Sequence, residues 1–264
     1  MKLLAIFAHP DDEAFSCGGT LARYAAQGIA VHLVCATRGE EGEINHPDID
    51  PTIPKGPERG TLRQGELEDA CRALGIESPT FLDYHDSGFP IEVGRQNPAA
   101  FMNADLALVE RQLLKSIAAI RPEVMLTFDP HGGYGHIDHL MIHRAASAAF
   151  WAAGAVMRPA PRRLFFPART IAQVEARNAN WDHWKDPKIF GVSADSFAAI
   201  IENGAYAERK KTALAAHRSQ VGSLERVEAM ASTWGEGFTR ETFILGGVRG
   251  TFPEAPVDDL FAGL

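Results

Sequence analysis

The chain has 264 residues, 45% of them hydrophobic and 23% charged, a balance that lets a globular protein build its own core. Against 26 Lys and Arg stand 34 Asp and Glu, a formal charge of −8. That excess argues against a duplex-DNA or anionic-membrane surface, where basic charge supplies most of the affinity. Cys17, Cys35 and Cys71 sit singly in apolar segments, so they read as buried thiols in a reducing cytoplasm rather than a disulfide framework. The N-terminal apolar run stops at His9-Pro10-Asp11, too short for a secretion signal, and no stretch approaches the ~20 apolar residues that span a bilayer.

In chain order, Lys2 to Ala8 is a continuous apolar run that suits a buried parallel strand. Residues 14–27 have helical spacing, with Phe15, Leu21 and Tyr24 as core contacts and Gly28 as the stop. Ile29 to Ala36 reads as a second strand, completing a right-handed β-α-β unit. Residues 37–60, rich in Gly, Pro, Asp and Glu, read as a long surface loop. A helix is expected over 61–74, a short strand over 80–83, and a helix capped by Asn103 and running to about Ile120. A strand over 123–128 and a helix over 138–153 follow. Beyond Ala155 the rhythm weakens. Arg158 to Arg163 reads as a connection, 188–201 as one or two strands, 208–219 as a helix and 241–248 as a late strand.

The alternation implies an α/β fold: a Rossmann-like, mostly parallel sheet flanked by helices, with a smaller C-terminal α+β part. Residues 1–155 form the expected catalytic domain. Residues 156–264 are expected to pack on it and complete a substrate pocket. Ligands of open α/β sheets bind at the C-terminal ends of strands, which singles out the loops 9–13, 39–60 and 129–138.

Two of these loops carry concentrated chemistry. His9-Pro10-Asp11-Asp12-Glu13 puts one imidazole and three carboxylates straight after a buried strand, and acids this close repel unless a cation or hydrogen bonds hold them. The run Asp129 to His139 has three glycines for close backbone approach and brings His136, Asp138 and His139 to a helix N-terminus. Two ligands from one junction and one from the other would leave a coordination position open, as a catalytic zinc requires. His143 offers a competing His-x-x-x-His pair with His139 but reads better as packing. His32, His46, His183 and His217, taken singly, read as ordinary hydrogen-bonded residues, and Asp138 alone would read as a helix cap.

With these residues in place, the chain resembles the LmbE-like, or PIG-L-type, de-N-acetylase family. Ala-His-Pro-Asp-Asp-Glu at 8–13 and Gly-x-Gly-His-x-Asp-His at 133–139 are its two hallmarks. Further likeness lies in Gly39 to Glu43, Arg63 with Glu66, Asp86-Ser87-Gly88, and a late element over Lys211–Leu214 and His217–Gln220. The closest likeness is to the branch that works in mycothiol biosynthesis; it is good over the first 155 residues and weaker beyond. The resemblance implies that His9, Asp12 and His139 bind Zn2+, with Fe2+ an acceptable substitute. It implies that Asp11 is the general base and that His136 polarises the substrate or protonates the amine. Asp138 would orient His136, and Tyr134 would serve the oxyanion. Glu43, Arg63 and Asp86 would hold the sugar or its aglycone.

The implied activity is removal of the N-acetyl group from an N-acetylglucosamine-type conjugate, a small molecule, by a cytoplasmic enzyme that neither nucleic acid nor membrane partners; a homo-oligomer is left open. Three other readings stand beside it. One is an amidase that cleaves a mycothiol- or bacillithiol-type thiol conjugate, or a deacetylase for a bacillithiol-type malate glycoside. Another is a dinucleotide-binding module, though His-Pro-Asp-Asp-Glu replaces the Gly-rich turn and would repel a pyrophosphate. The third is a metal-binding protein without catalysis. Trp181, Trp184 and Trp234 read as core packing or as a stacking wall.

Overall fold

The computed structural model describes residues 1–178 and 187–264. Strand β1, Lys2–Phe7, is buried from Leu3 onward and leads through His9 to Asp11 into helix α1, Asp12–Ala26. Strand β2, Ala30–Thr37, returns parallel to β1, pairing Lys2 with Ala30 through Phe7 with Cys35. Helix α2, Pro57–Leu74, and strand β3, Thr80–Tyr84, repeat the unit. Helix α3, Leu106–Ile120, strand β4, Val124–Leu126, and helix α4, Ile137–Val156, form the next. Strand β5, Arg163–Pro167, and helix α5, Ile171–Asn178, follow. Strand β6, Ala199–Glu202, helices α6, Ala207–Ala216, and α7, Leu224–Trp234, and strand β7, Arg240–Val248, close the chain.

The seven strands form one sheet in the order β3-β2-β1-β4-β5-β7-β6. The first five neighbours pair in parallel, and β7 is antiparallel to both β5 and β6. The sheet is thus mostly parallel and covered by helices, as the alternation of elements predicts. The chain winds outward from β1 to β3, then crosses to the other side of β1 at β4. Right-handed crossovers in opposite directions put helices on opposite faces. Accordingly α1, α2 and α6 pack together, as do α3 and α4. The reversal leaves a crevice beyond the C-terminal ends of β1 and β4, where ligands of such sheets bind. Leu3, Leu4, Ile6 and Phe7 are fully buried, each contributing about 1.5–3 kcal/mol of hydrophobic stabilisation. The two site loops therefore spring from the best-buried strands.

Several elements differ from their sequence expectations. The cap of α3 is Asp105, whose carboxylate accepts from Ala107 N at 2.8 Å; Asn103 sits in a short 3-10 turn and donates to Gly94 O and Asn97 O. Strand β5 begins at Arg163, inside the stretch read as a connection. Arg163 is buried, with its guanidinium 4.7 Å from the Phe252 ring centroid. Helix α6 stops at Ala216, because His217 turns inward with ψ 57°. Only 199–202 of the stretch 188–201 and its border is strand among the described residues. Helix α7 escaped notice although Ser223 caps it, accepting from Arg226 N at 3.3 Å. Trp181, Trp184 and His183 lie outside the described residues. No helix among the described residues is long and apolar enough to cross a membrane.

Candidate metal centre and active site

The β1–α1 turn is built around its own acids. Asp12 Oδ2 accepts from the His9 backbone N–H at 2.7 Å, and Glu13 Oε2 from that of Asp11 at 3.1 Å. Asp11 itself adopts φ 102°, a conformation that an L residue holds only when its surroundings impose it, at about 1–3 kcal/mol. Arg63, buried on α2, imposes it from one side: its guanidinium donates to Gly39 O at 2.8 Å and to Pro10 O at 2.6 Å, and Nη2 meets Asp11 Oδ2 at 3.3 Å. Behind the turn, the buried pair Glu13 Oε1 and His217 Nε2, 2.8 Å apart, anchors the late helical element to α1.

The β4–α4 loop delivers the second half. His139 donates from Nδ1 to Gly132 O at 2.9 Å, and its ring stacks on Phe128 with centroids 3.9 Å apart. Gly132 must be glycine here: its φ is +63°, and a Cβ would stand 2.7 Å from His139 Cβ. With Nδ1 protonated, His139 presents a bare lone pair at Nε2. His9 is held in the opposite tautomer. Its Nε2 lies 3.2 Å from Asp138 Oδ2 and 3.3 Å from Asp86 Oδ1, so it donates there and leaves Nδ1 bare. Asp138 is fixed in turn by Ser87, which donates to it from the backbone N–H at 2.9 Å and from the hydroxyl.

The two bare nitrogens, His9 Nδ1 and His139 Nε2, are 3.2 Å apart. Asp12 Oδ1 lies 3.3 Å from His139 Nε2, and Asp12 Oδ2 lies 3.6 Å from His9 Nδ1. Ligands at about 2.0–2.1 Å around a tetrahedral ion stand roughly 3.4 Å from one another. These contacts, made by different oxygens of Asp12, bring the His9, Asp12 and His139 side chains together, and two imidazole nitrogens with a carboxylate fit a divalent ion of the zinc type. Among the described residues, two groupings have candidate ligand atoms all within 4.8 Å of one another: His9 with His136 and His139, and His9 with Asp86 and Asp138. The second uses the face of His9 already engaged in hydrogen bonding, so it supports the ring rather than competing for the ion.

The electrostatics agree. Burial, added to the neighbouring Asp11 and Glu13 charges, outweighs His9 and raises Asp12 to about 8. Burial raises Asp11 as well, against Arg63 and His217. Burial pushes His139 well below the ordinary histidine value. These are the marks of a buried acidic pocket without enough fixed positive charge of its own. His136 accepts from the Asp138 backbone N–H through Nδ1, at 3.2 Å, which leaves its proton on Nε2. Burial lowers it to about 4, so the ring is neutral at pH 7.

The expected residues therefore separate. His9, Asp11, Asp12, Tyr134, His136, Asp138 and His139 come together; Tyr134 packs edge-on to His139 with centroids 4.8 Å apart. The carboxylate of Asp138 does not orient His136 as the resemblance implies; it turns to His9 and Ser87, and only the Asp138 backbone reaches His136. Arg63 is no free clamp for an aglycone, because it is buried with Nη1 and Nη2 engaged by Gly39, Pro10 and Asp11, although Nε has no hydrogen-bond partner; nor does it pair with Glu66, which accepts from Ser219. Asp86 is buried against His9 and the Glu41 and Gly88 backbone. Glu43 is exposed and pairs with Lys55 at 2.7 Å. His143 packs as expected, with Nδ1 2.7 Å from Phe128 O. His217 is a hydrogen-bonded core residue, as the reading of single histidines expects, and its partner is Glu13. A cavity of about 600 Å³ opens from Asp11, Asp12, Tyr134 and His139 and runs to α5 and α7, where Trp234 forms part of its wall.

Comparison with known proteins gives this geometry a lineage. A 4-carboxy-2-hydroxymuconate hydratase from Pseudomonas putida KT2440 shares the fold at TM-score 0.63 and 20% identity, covering 95% of this chain and 98% of its own. An N,N'-diacetylchitobiose deacetylase from Pyrococcus horikoshii does so at TM-score 0.63 and 20% identity, covering 92% and 83%. At that distance the fold alone is shared, and it does not choose between reactions. The sequence is more specific. It is 35% identical over 282 residues to a 1D-myo-inositol 2-acetamido-2-deoxy-alpha-D-glucopyranoside deacetylase of Salinispora arenicola, covering 100% of this chain and 91% of that one. The GlcNAc-PI de-N-acetylase family model matches residues 4–150, which contain both halves of the candidate metal centre. By sequence and fold, the chain belongs to the PIG-L family of de-N-acetylases.

Proposed function

We propose that the chain is a metal-dependent hydrolase that removes the acetyl group from an N-acetylglucosamine-type conjugate. The observation that carries this reading is the pair of bare imidazole nitrogens converging on Asp12 beside the strained, arginine-held Asp11. His9, Asp12 and His139 are the residues that would hold the ion, with Zn2+ the best match to two nitrogens and one carboxylate. A bound ion of this type supplies Lewis acidity to an amide carbonyl and acidifies water.

The chain's own residues do the rest. Arg63 engages Asp11 Oδ2, which leaves Oδ1 to take a proton from water. Burial favours proton uptake by Asp11, and the arginine contact fixes its direction. His136, neutral and protonated on Nε2, suits hydrogen bonding to a developing oxyanion; its low pKa disfavours the imidazolium expected from the family. Tyr134 shares the cavity wall, and burial with the nearby Asp12, Asp11 and Asp86 charges raises its hydroxyl well above the usual value, keeping it a donor. The C-terminal part, residues 156–264, completes the pocket in this reading: Arg169, Val174, Gln220 and α7 line it. The site works against a dinucleotide-binding role, since a pyrophosphate would face Asp11 and Asp12. The test is acetate release from methyl N-acetylglucosaminide beside an N-acetyl amino acid. Release from the sugar alone supports the reading; release from the amino acid alone overturns it.

A further inference from the structure

Beyond strand β3 the chain leaves the sheet at Gly88 and comes back at Phe101. The excursion is tied at its base: His85 N donates to Ala99 O at 3.3 Å, and Phe101 N donates to His85 O at 2.8 Å. The short helical turn Glu92–Gln96 in its middle rests on Ser87 through Gly94. A Cβ on Gly94 would stand 2.7 Å from the Ser87 carbonyl oxygen and 2.9 Å from Ser87 Cβ, so a glycine is what lets the turn settle there.

Ser87 is fully buried and faces the metal centre from its other side. Its backbone N–H donates to Asp138 Oδ2 at 2.9 Å, and its hydroxyl donates to Asp138 Oδ1. One residue thus grips both oxygens of one carboxylate. The direction of the bonds follows from the groups. A carboxylate only accepts, so the single hydroxyl proton goes to Asp138, and Ser87 Oγ accepts from the Met102 backbone N–H at 2.9 Å. A chain of donors therefore runs from Met102 through Ser87 to Asp138, each bond polarising the next. Asp138 Oδ2 in turn lies 3.2 Å from His9 Nε2, on the edge of the ring opposite the nitrogen that faces His139. Asp86, the other carboxylate at His9 Nε2, is anchored separately, accepting from the Gly88 and Glu41 backbone N–H groups at 2.8 and 3.2 Å.

We propose that Ser87 is a positioning residue for the metal centre: through Asp138 it holds the His9 ring with Nδ1 towards the ion, and it makes that hold depend on the seating of the 88–101 excursion. This role rests on His9 being a ligand in the proposed hydrolase. Without the hydroxyl, Oδ1 of a fully buried carboxylate loses its donor, which is costly, and Asp138 turns to find another. His9 then loses the partner that fixes its tautomer and its angle.

The experiment measures Zn2+ affinity of the full chain by competition with a chromophoric chelator, so it needs no turnover. Ser87→Ala should bind Zn2+ about 10- to 100-fold more weakly than the parent. Ser87→Cys, which keeps a weaker donor at nearly the same size, should fall between the two. Gly94→Ala leaves Ser87 and Asp138 unaltered but lifts the turn off Ser87, and it should weaken binding as well. A role exercised through Asp138 also requires that Ser87→Ala cost almost nothing further once Asp138→Ala is present. Parent-like affinity in the Ser87 variants or in Gly94→Ala, or losses that add in full in the double variant, would overturn the proposal. Metal affinity and acetate release are read apart. If the parent binds Zn2+ through this chain of contacts but hydrolyses no N-acetylglucosaminide, the deacetylase reading fails and the role of Ser87 stands. If the parent hydrolyses and Ser87→Ala keeps its affinity, the role of Ser87 fails alone.

Discussion

Two buried clusters of charge flank helix α1, and they are resolved in opposite ways. In the middle of the helix, Glu241 of β7 accepts from the Gly19 and Thr20 backbone N–H groups, from Asn203 Nδ2 and from Lys210 Nζ at 2.6 Å. Lys210 also donates to Phe238 O. Every charge there is answered by protein, which is how a buried ion pair becomes a fixed fastener between α1, α6 and β7. At the helix N-terminus, Asp11, Asp12, Asp86 and Asp138 crowd two histidines, with Arg63 as the fixed cation in contact. There, lone pairs converge on one point. Burial of charge alone therefore does not mark a functional site; acceptors aimed at one another without enough donors do.

The contrast can be broken from either side. The largest effect is expected from Asp11→Asn, which keeps the shape but removes the proton acceptor: kcat should fall about 10²- to 10⁴-fold with metal content unchanged. His139→Ala should instead remove the metal; full metal content in that variant would refute the ligand assignment. On the other cluster, Lys210→Met strands Glu241 and should destabilise the protein by about 3–5 kcal/mol in denaturant unfolding, while the folded fraction keeps its kcat. A kcat loss matching that of Asp11→Asn would dissolve the distinction between fastener and site. His217 lies between the two regimes. Burial opposes its charge, but Glu13 raises its pKa overall, so its protonated form stabilises the fold. That contribution is complete below the unfolded value of about 6.5 and is lost as pH rises through the raised folded value. His217→Gln should therefore cost more stability at pH 6 than at pH 9, and an equal cost at both would contradict the pairing. The smallest effect is expected from Arg63→Lys, which cannot serve Gly39, Pro10 and Asp11 at once: about a tenfold loss in kcat with little change in KM. A change in KM alone would return Arg63 to substrate binding.

The sequence exposes the site's parts better than their relations. His9, Asp12 and His139 are legible because strand-to-helix junctions carry them and motif spacing fixes which ends of the sheet they occupy. What Arg63 touches is not legible, because its partner carbonyls at Pro10 and Gly39 lie 53 and 24 residues away along the chain. For the same reason Glu13 could not be matched with His217, 204 residues apart. Local pattern also misleads where tertiary packing overrides it: Arg163 reads as the end of a connection and is buried in β5, and Asn103 reads as a cap that Asp105 supplies two residues later. The C-terminal strands pair antiparallel at the sheet edge, so their rhythm carries no β-α-β signal, and the cavity wall built by α7 goes unseen.

The central claim is that the His9, Asp12 and His139 triangle holds the ion on which deacetylation depends. Its most direct test is acetate release from an N-acetylglucosaminide by protein stripped with a chelator, followed by stepwise Zn2+ addition with bound metal counted. The account predicts that stripping abolishes release and that activity returns in proportion to the first equivalent bound. Release that survives complete removal of metal would contradict it.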